Sequence, residues 1–315
     1  AEDHTEVVFH HVWDYRRDEI QNVPSFFTGK KSRGAYTGLP LVHEDISTIT
    51  ITKRLFSRLS GQCYGIDGTL LSPLKACFAV IFHLICGLTS EWDEEIQDTK
   101  VSCLAKDFLQ VLKNKIHLLP SVARCLIPDI YLTYGIEAYS DGSEWLATYV
   151  MYLLSSQNTG TRTPQNSSSS ICGALAKTKH HSVPCVEACG CVMCIENVCT
   201  YIINHHAALF QTHTLINFPI NIGIDSECLL YSLNPIKLHT SVLIKNVARK
   251  VHALSKDLTS RFPNIILSFY FVEGVRNPAD LNSKMPVNLD PIDIVNSKIW
   301  QEGLPDQLEG NWPPY

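Results

Sequence analysis

The sequence predicts an α/β protein: a mixed five-stranded sheet with flanking helices, preceded by a mainly helical region. Two observations carry this. From residue 131 the hydrophobic pattern reads β-β-β-α-β-α-β-α, a meander followed by alternating units. Before Pro128 the apolar residues recur mostly at helical spacing.

The elements follow in order. Residues 1–50 are polar, with a few β-like runs such as EVVFHHVW. ITKRLFSRLS (51–60) reads as a short basic helix, YGIDGTLLSP as a turn, and residues 73–89 as a buried helix. Residues 101–118 place Leu104, Phe108, Val111 and Leu112, with Leu119 just beyond, on one helical face. IEAYSDGS (136–143) and LATYVMYLL (146–154) read as two strands joined by a short turn. NTGTRTPQNSSSS (158–170) reads as a flexible loop, and SICGALAKTK as a third strand. A helix starts at Val183–Pro184 and runs to about His205. INFPINIGIDSE (216–227) is a strand ending on Asp225. Residues 240–259 form an amphipathic helix with Ile244, Val247, Val251, Leu254 and Leu258 on its apolar face. NIILSFYFVE is the last strand. In the last helix Asn277 is the N-cap and Pro278 sits at N1, which puts Asp280 in the first turn.

Composition sets limits. The chain has 315 residues, 45% hydrophobic and 18% charged, as a soluble globular protein of one to three domains would. Its net charge of −5 means that any nucleic-acid partner must be held by a local basic face. The longest apolar run, FAVIFHLICGL, is too short to span a bilayer, so no membrane partner is expected. No signal peptide is visible and the first residue is Ala, so the chain reads as a piece of a longer product. The twelve cysteines are expected to stay reduced. Five lie in PCVEACGCVMCIENVC. Cys191 and Cys194 have the spacing of a zinc half-site, but on a helix Cys185, Cys189 and Cys199 project to another side. Buried packing residues are the expectation there.

Four acids stand at element edges. Asp141 ends the first strand, Glu187 lies in the first turn of the helix opened by Pro184, Asp225 ends the fourth strand, and Asp280 opens the last helix. Strand ends and helix starts can gather polar side chains at one edge of a sheet. Gathered carboxylates repel one another unless divalent cations neutralise them. Mg²⁺, with Mn²⁺ as an alternative, suits an all-oxygen site. Two such ions roughly 3.5–4 Å apart clamp the attacking and leaving oxygens of a phosphodiester.

The order Asp-Gly-Ser, Pro-x-x-Glu, Asp-Ser, Asn-Pro-Ala-Asp resembles the ribonuclease H domain of retroelement Pol polyproteins, and most closely the BEL/Pao group of LTR retrotransposons. SDGSEWLATYVMYLL, LAKTK, SVPCVEA, GIDSE and NPADLNSK stand at the matching places. Upstream, TITKRLFSRLSGQCYGIDGTLLSP, EWDEEI, SVARCLIP and HVWDYRRDE are similar to the family's own steps. IWQEGLPDQLEGNWP is similar to the segment that follows its ribonuclease H region. There are departures. YGIDG lacks the family's Pro and carries an extra residue, Pro-Cys-Val-Glu replaces Pro-Arg-Leu-Glu, the segment between Lys177 and Pro184 is short, and Ser-Lys replaces Ser-Arg at the tail.

The resemblance implies a ribonuclease H-like fold in residues 131–290, a reverse transcriptase thumb/connection-like region in 1–130, and a C-terminal linker in 291–315. It implies two-metal hydrolysis of the RNA strand of an RNA–DNA hybrid, with Asp141, Glu187, Asp225 and Asp280 as catalytic metal ligands. It also implies, as partner, the polymerase portion of the same polyprotein, and as setting a cytoplasmic virus-like particle or the nucleus. No Tyr/Phe-x-Asp-Asp motif is present, so the chain is not expected to synthesise DNA. Asp-Ser/Thr-Gly is absent too, against an aspartic protease. An integrase would need a Glu about 35 residues after Asp225, and the region around Arg261 offers none. The alternative is a non-catalytic, domesticated subunit that binds nucleic acid or a polymerase partner. A further expectation comes from spacing alone: Lys245, Arg249, His252 and Lys256 form a basic stripe opposite the apolar face of the 240–259 helix, suited to nucleic-acid phosphates.

Overall fold

The computed structural model describes residues 5–8, 11–14, 16, 19–24, 44–62, 72–118, 121–123, 133–143, 146–155, 162–171, 182–206, 217–233, 242–284, 293 and 297. The chain divides into two compact units: residues 1–126 with 286–296, and residues 127–285 with 297–315.

The first unit holds helices α1 (Lys53–Gln62), α2 (Ser72–Leu88) and α3 (Thr99–Lys115), close to where periodicity predicts them. Phe78 is the centre of their packing, 5.9 Å from the Phe56 ring and 4.8 Å edge-on to Phe108. All three rings are buried, and each contributes on the order of 1.5–3 kcal/mol by leaving water. The unit is not only helical. EVVFHHVW splits into strands β1 (Thr5–Val8) and β2 (His11–Asp14), which pair antiparallel with β3 (Glu19–Pro24) and β4 (Ser121–Ala123). The sheet closes through β4, about a hundred residues further along, a pairing that local pattern does not reveal. The YGIDG turn lies outside the described residues.

The second unit is a five-stranded mixed sheet in the order β7-β6-β5-β8-β9. Strands β5 (Thr133–Gly142), β6 (Leu146–Ser155) and β7 (Arg162–Ile171) form the antiparallel meander. Strand β8 (Phe218–Ile224) then joins β5 in parallel, and β9 (Ile265–Phe271) joins β8. This is the ribonuclease H-like arrangement expected from the sequence. Helices α4 (Val183–Tyr201) and α6 (Val242–Arg261) cover one face, with a short α5 (Glu227–Leu233) between β8 and α6. Ile136 and Ala138 from β5, Met151 and Leu153 from β6 and Ile220, Ile222 and Ile224 from β8 meet Val198 of α4 and Val247, Val251 and Leu258 of α6. Leu254 packs against this core partly buried.

The third strand needs a correction. It occupies Arg162–Ile171, the stretch read as a flexible loop; most of SICGALAKTK lies outside the described residues. Polar, Ser-rich composition reads as a loop, but β7 is an edge strand, and an edge tolerates polar residues. Pro164 sits where the register slips opposite Tyr152, a place where the ladder spares a donor. Helix α4 is apolar and long enough to cross a membrane, counted as Val183–Asn204, but it lies on the sheet with half of that stretch buried.

The other face of the sheet carries a polar cluster that the sequence does not announce. Glu137, fully buried in mid-strand, accepts hydrogen bonds from Tyr139 and, at 3.1 Å, from Tyr270. Tyr139 also meets the Tyr152 ring edge-on at 5.9 Å. Buried polar groups need such partners.

Candidate metal centre

The site is built at the carboxyl ends of the adjacent parallel strands β5 and β8, the edge where α/β sheets gather their ligands. Asp141 is the penultimate residue of β5, and Asp225 follows the last residue of β8. The third acid arrives on helix α7 (Pro278–Ser283).

The local sequence fixes α7. Asn277 caps it: its side-chain oxygen accepts from Ala279 N at 3.0 Å, with Pro278 in the first turn. The same side chain's Nδ2 donates to Ser140 O of β5 at 3.0 Å. Asn277 is 1% exposed, so one amide both starts the helix and bolts it to the strand next to Asp141. Thr148 Oγ1 of β6 adds a bond to Ala279 O at 2.9 Å, and Ser143 Oγ one to Ser283 O at 2.6 Å.

Oxygens of Asp141, Asp225 and Asp280 thereby come within 4.8 Å of one another. Asp141 is 4% exposed and Asp280 9%. Asp225 Oδ1 is buried, with no hydrogen-bond donor on it among the described residues. Burial pushes the Asp225 carboxyl up to about 8, and the charge of Asp141, a hydrogen bond with it and the charge of Glu187 push the same way. Asp280 is also raised, first by burial, against the opposing pull of its bond from Lys284.

Glu187 stands beside this group without joining the three-oxygen cluster. Its carboxyl is raised, first by burial and then by Asp141, while a hydrogen bond from Ser226 opposes the shift. The helix begins at Val183, so Glu187 falls in the second turn and not the first. What brings it near is a pair of glycines. An added Cβ on Gly142 would lie 2.3 Å from Glu187 N, and one on Gly190 would lie 2.4 Å from Asp141 O.

The donor set suits a hard divalent cation. Three carboxylate oxygens converge, and among the described residues a buried oxygen of Asp225 has no donor, an all-oxygen set of the kind such cations take. Among the described residues, no cysteine belongs to a group that could hold a metal ion. Cys191 and Cys194 point into the core of the sheet, and burial pushes the Cys191 thiol up to about 12 and Cys194 well above its usual value. Their surroundings in that core are apolar side chains, which supply no further zinc ligand. Protein purified without added zinc should therefore contain far less than one zinc per chain by elemental analysis. Stoichiometric zinc released only on denaturation would refute this.

Lys245, Arg249, His252 and Lys256 lie along α6, the first partly exposed and the others exposed. Arg249 bonds only its neighbour Asn246, at 3.3 Å, among the described residues. Lys250 and Arg261 of the same helix pair with Glu196 and Asp257. Two features were missed by sequence reasoning. Ser283 donates to Asp141 Oδ2 and Lys284 Nζ bonds Asp280 Oδ2; the only signal was their position, three and four residues after Asp280, one helical turn on.

No protein-family model and no curated protein matches the chain. Several solved structures are similar to it. The N-terminal RNase H domain of rv2228c from Mycobacterium tuberculosis, solved as a fusion with maltose-binding protein, is 15% identical with a TM-score of 0.32. The match covers 52% of this chain and 96% of that one. RNase H1 from the halophilic archaeon Halobacterium salinarum NRC-1 is 13% identical with a TM-score of 0.32, over 46% of this chain and 92% of that one. A foamy viral protease-reverse transcriptase in complex with an RNA/DNA hybrid is 11% identical with a TM-score of 0.46, over 91% of this chain but 31% of that one.

Proposed function

We propose that the second unit is a ribonuclease H-type nuclease that hydrolyses the RNA strand of RNA–DNA hybrids with two divalent cations, Mg²⁺ or Mn²⁺. The observation that carries this reading is the convergence of Asp141, Asp225 and Asp280 at one sheet edge, with a buried oxygen of Asp225 left open. Asp141, Asp225 and Asp280, with Glu187 beside them, would hold the cations. Divalent cations supply charge neutralisation at the phosphate and activation of water at neutral pH. The chain's own part is to hold four acids at fixed places and to keep two of them largely out of solvent. The residues retained at the four positions favour this reading over a non-catalytic subunit. The test is direct: purified chain, a hybrid labelled on its RNA strand, and a Mg²⁺ titration. RNA cleavage that chelator abolishes supports the reading, and hybrid bound but left intact at every Mg²⁺ concentration overturns it.

In the wider reading, the chain comes from a BEL/Pao-type Pol polyprotein. Residues 1–130 would serve as thumb and connection, 131–290 as nuclease and 291–315 as a linker, beside a polymerase portion, in a virus-like particle or the nucleus. The motif series of the sequence supports it.

The stripe on α6 would grip the hybrid's phosphates while minor-groove 2′-hydroxyls mark the RNA strand. With a net charge of −5, the chain needs such a local patch. Lys245→Ala with Arg249→Ala should weaken hybrid binding for all sequences alike. The slope of log affinity against log salt should become shallower by roughly one to two, since each phosphate contact contributes about 0.7–0.9. Cleavage at saturating hybrid should change little. An unchanged salt slope would make the stripe an ordinary solvated surface.

A further inference from the structure

The last residue of α7, Ser283, and the one that follows it, Lys284, reach back into the acidic group. Ser283 is 1% exposed; its hydroxyl donates to Asp141 Oδ2 and lies 3.2 Å from Asp280 O. Its own carbonyl accepts from Ser143 Oγ at 2.6 Å, which ties it to the β5–β6 turn. Lys284 sets its ammonium on Asp280 Oδ2, with the lysine side chain 55% exposed and the aspartate 12%. Asp225 Oδ1, in the same cluster, has no donor among the described residues.

The two contacts differ in kind. A hydroxyl is neutral and hydrogen-bonds one carboxylate oxygen, which leaves the other free for a cation. An ammonium brings a full positive charge to the place where a cation would sit. Three acids within 4.8 Å repel one another, and Lys284 offsets part of that repulsion. A lysine makes a single point contact on a flexible stem, unlike the two-point grip of an arginine. Its exposed stem lets it leave at little cost.

We propose that Lys284 is a resident counter-ion: it holds Asp280 in the metal-free protein and is displaced from Oδ2 by the incoming divalent cation, while Ser283 stays in place and fixes Asp141. Lys284 and Ser283 are positioning residues. The proposal deepens the metal-dependent reading above and rests on it. It has a consequence with two opposite signs. Without Lys284 the metal-free protein carries more unrelieved repulsion and is less stable. The same protein binds a cation more tightly, because nothing has to be displaced. A lysine that merely supported the fold would lower both.

The experiment is Mn²⁺ titration by calorimetry, with thermal unfolding in chelator and in Mn²⁺, on the whole chain. Lys284→Met, which keeps the apolar stem, should bind Mn²⁺ roughly two- to fivefold more tightly, in keeping with the modest strength of a half-exposed ion pair. Its unfolding temperature in chelator should fall below that of the parent. Lys284→Arg keeps the counter-ion, so it should restore the unfolding temperature in chelator and bind Mn²⁺ no more tightly than the parent. Ser283→Ala should bind Mn²⁺ more weakly, having lost the group that orders Asp141. Equal or weaker Mn²⁺ binding by Lys284→Met, with the parent binding normally, overturns the counter-ion role and leaves the metal site standing. A parent protein that takes up no Mn²⁺ removes the metal site and the counter-ion role together.

Discussion

On the nuclease reading proposed above, Asp225→Asn should remove Mg²⁺-dependent cleavage of the hybrid's RNA strand, a fall of roughly a thousandfold or more. A carboxylate that would help hold a divalent cation supports several kcal/mol of charge stabilisation in phosphoryl transfer, and each 1.36 kcal/mol is tenfold in rate. The fold survives, because the amide is isosteric and removes a repelling charge. Metal-free Asp225→Asn should unfold at the same temperature as the parent or higher at pH 8. Full activity in Asp225→Asn would end the metal-ligand assignment.

The same crowding gives the metal-free protein a pH dependence whose sign is fixed. Asp225, Asp280 and Glu187 all have raised carboxyl pKa values in the folded chain, Asp225 up to about 8. The folded state therefore holds more protons than the unfolded chain from about pH 4 upward, and stability falls as pH rises while that excess lasts. For Asp225 the window runs from its ordinary value near 4 to about 8. Thermal unfolding in chelator should show this decline, and Mg²⁺ should flatten it. In Asp225→Asn the decline should shrink even without Mg²⁺. A stability rising with pH across that range would contradict the crowded-carboxylate site.

What the sequence made legible was local. The amphipathic helix α6 appears where its apolar spacing puts it, and Asn277 caps α7 as the Asn-Pro step predicts. The edge positions of Asp141, Asp225 and Asp280 were readable because strand ends and a helix start announce themselves in turn and cap residues. The convergence of the three was not readable, since it depends on the parallel pairing of β5 with β8, some eighty residues apart. Strand β7 was hidden because an edge strand can be as polar as a loop. The first unit's sheet was hidden because β3 finds β4 across three helices. Ser283 and Lys284 looked like a helix tail; only the packing of α7 on β5 and β6 turns them toward the acids. Glu137 was unremarkable in sequence, being one acid in a strand, until two tyrosines met it in the interior.

Gly190→Ala and Gly142→Ala should each cost stability and activity together, because these glycines set the distance between Glu187 and Asp141. A Cβ on Gly190 would stand 2.4 Å from Asp141 O and 3.0 Å from Thr148 O. An ordinary carbon–oxygen contact is roughly 3.3–3.6 Å, so α4 would have to retreat by about 1 Å. A Cβ on Gly142 would meet Glu187 N at 2.3 Å and Val186 C at 2.4 Å. Both obstacles are backbone, which cannot swing aside as a side chain can. Overpacking of this kind costs typically 1–3 kcal/mol, occasionally more. The retreat would carry Glu187 away from the other three acids, and a misplacement of 1 Å can cost about a hundredfold in rate. Each variant should therefore show a lower urea midpoint and, in the fraction that remains folded, a fall in cleavage on the order of a hundredfold. Cys189→Ala is the control: it sits on the same helix, half-buried, and removes atoms instead of adding them. Its cleavage rate should stay close to the parent's. If Gly190→Ala keeps both its midpoint and its rate, the close approach of α4 to β5 is not what places Glu187, and that residue's part in the site falls with it.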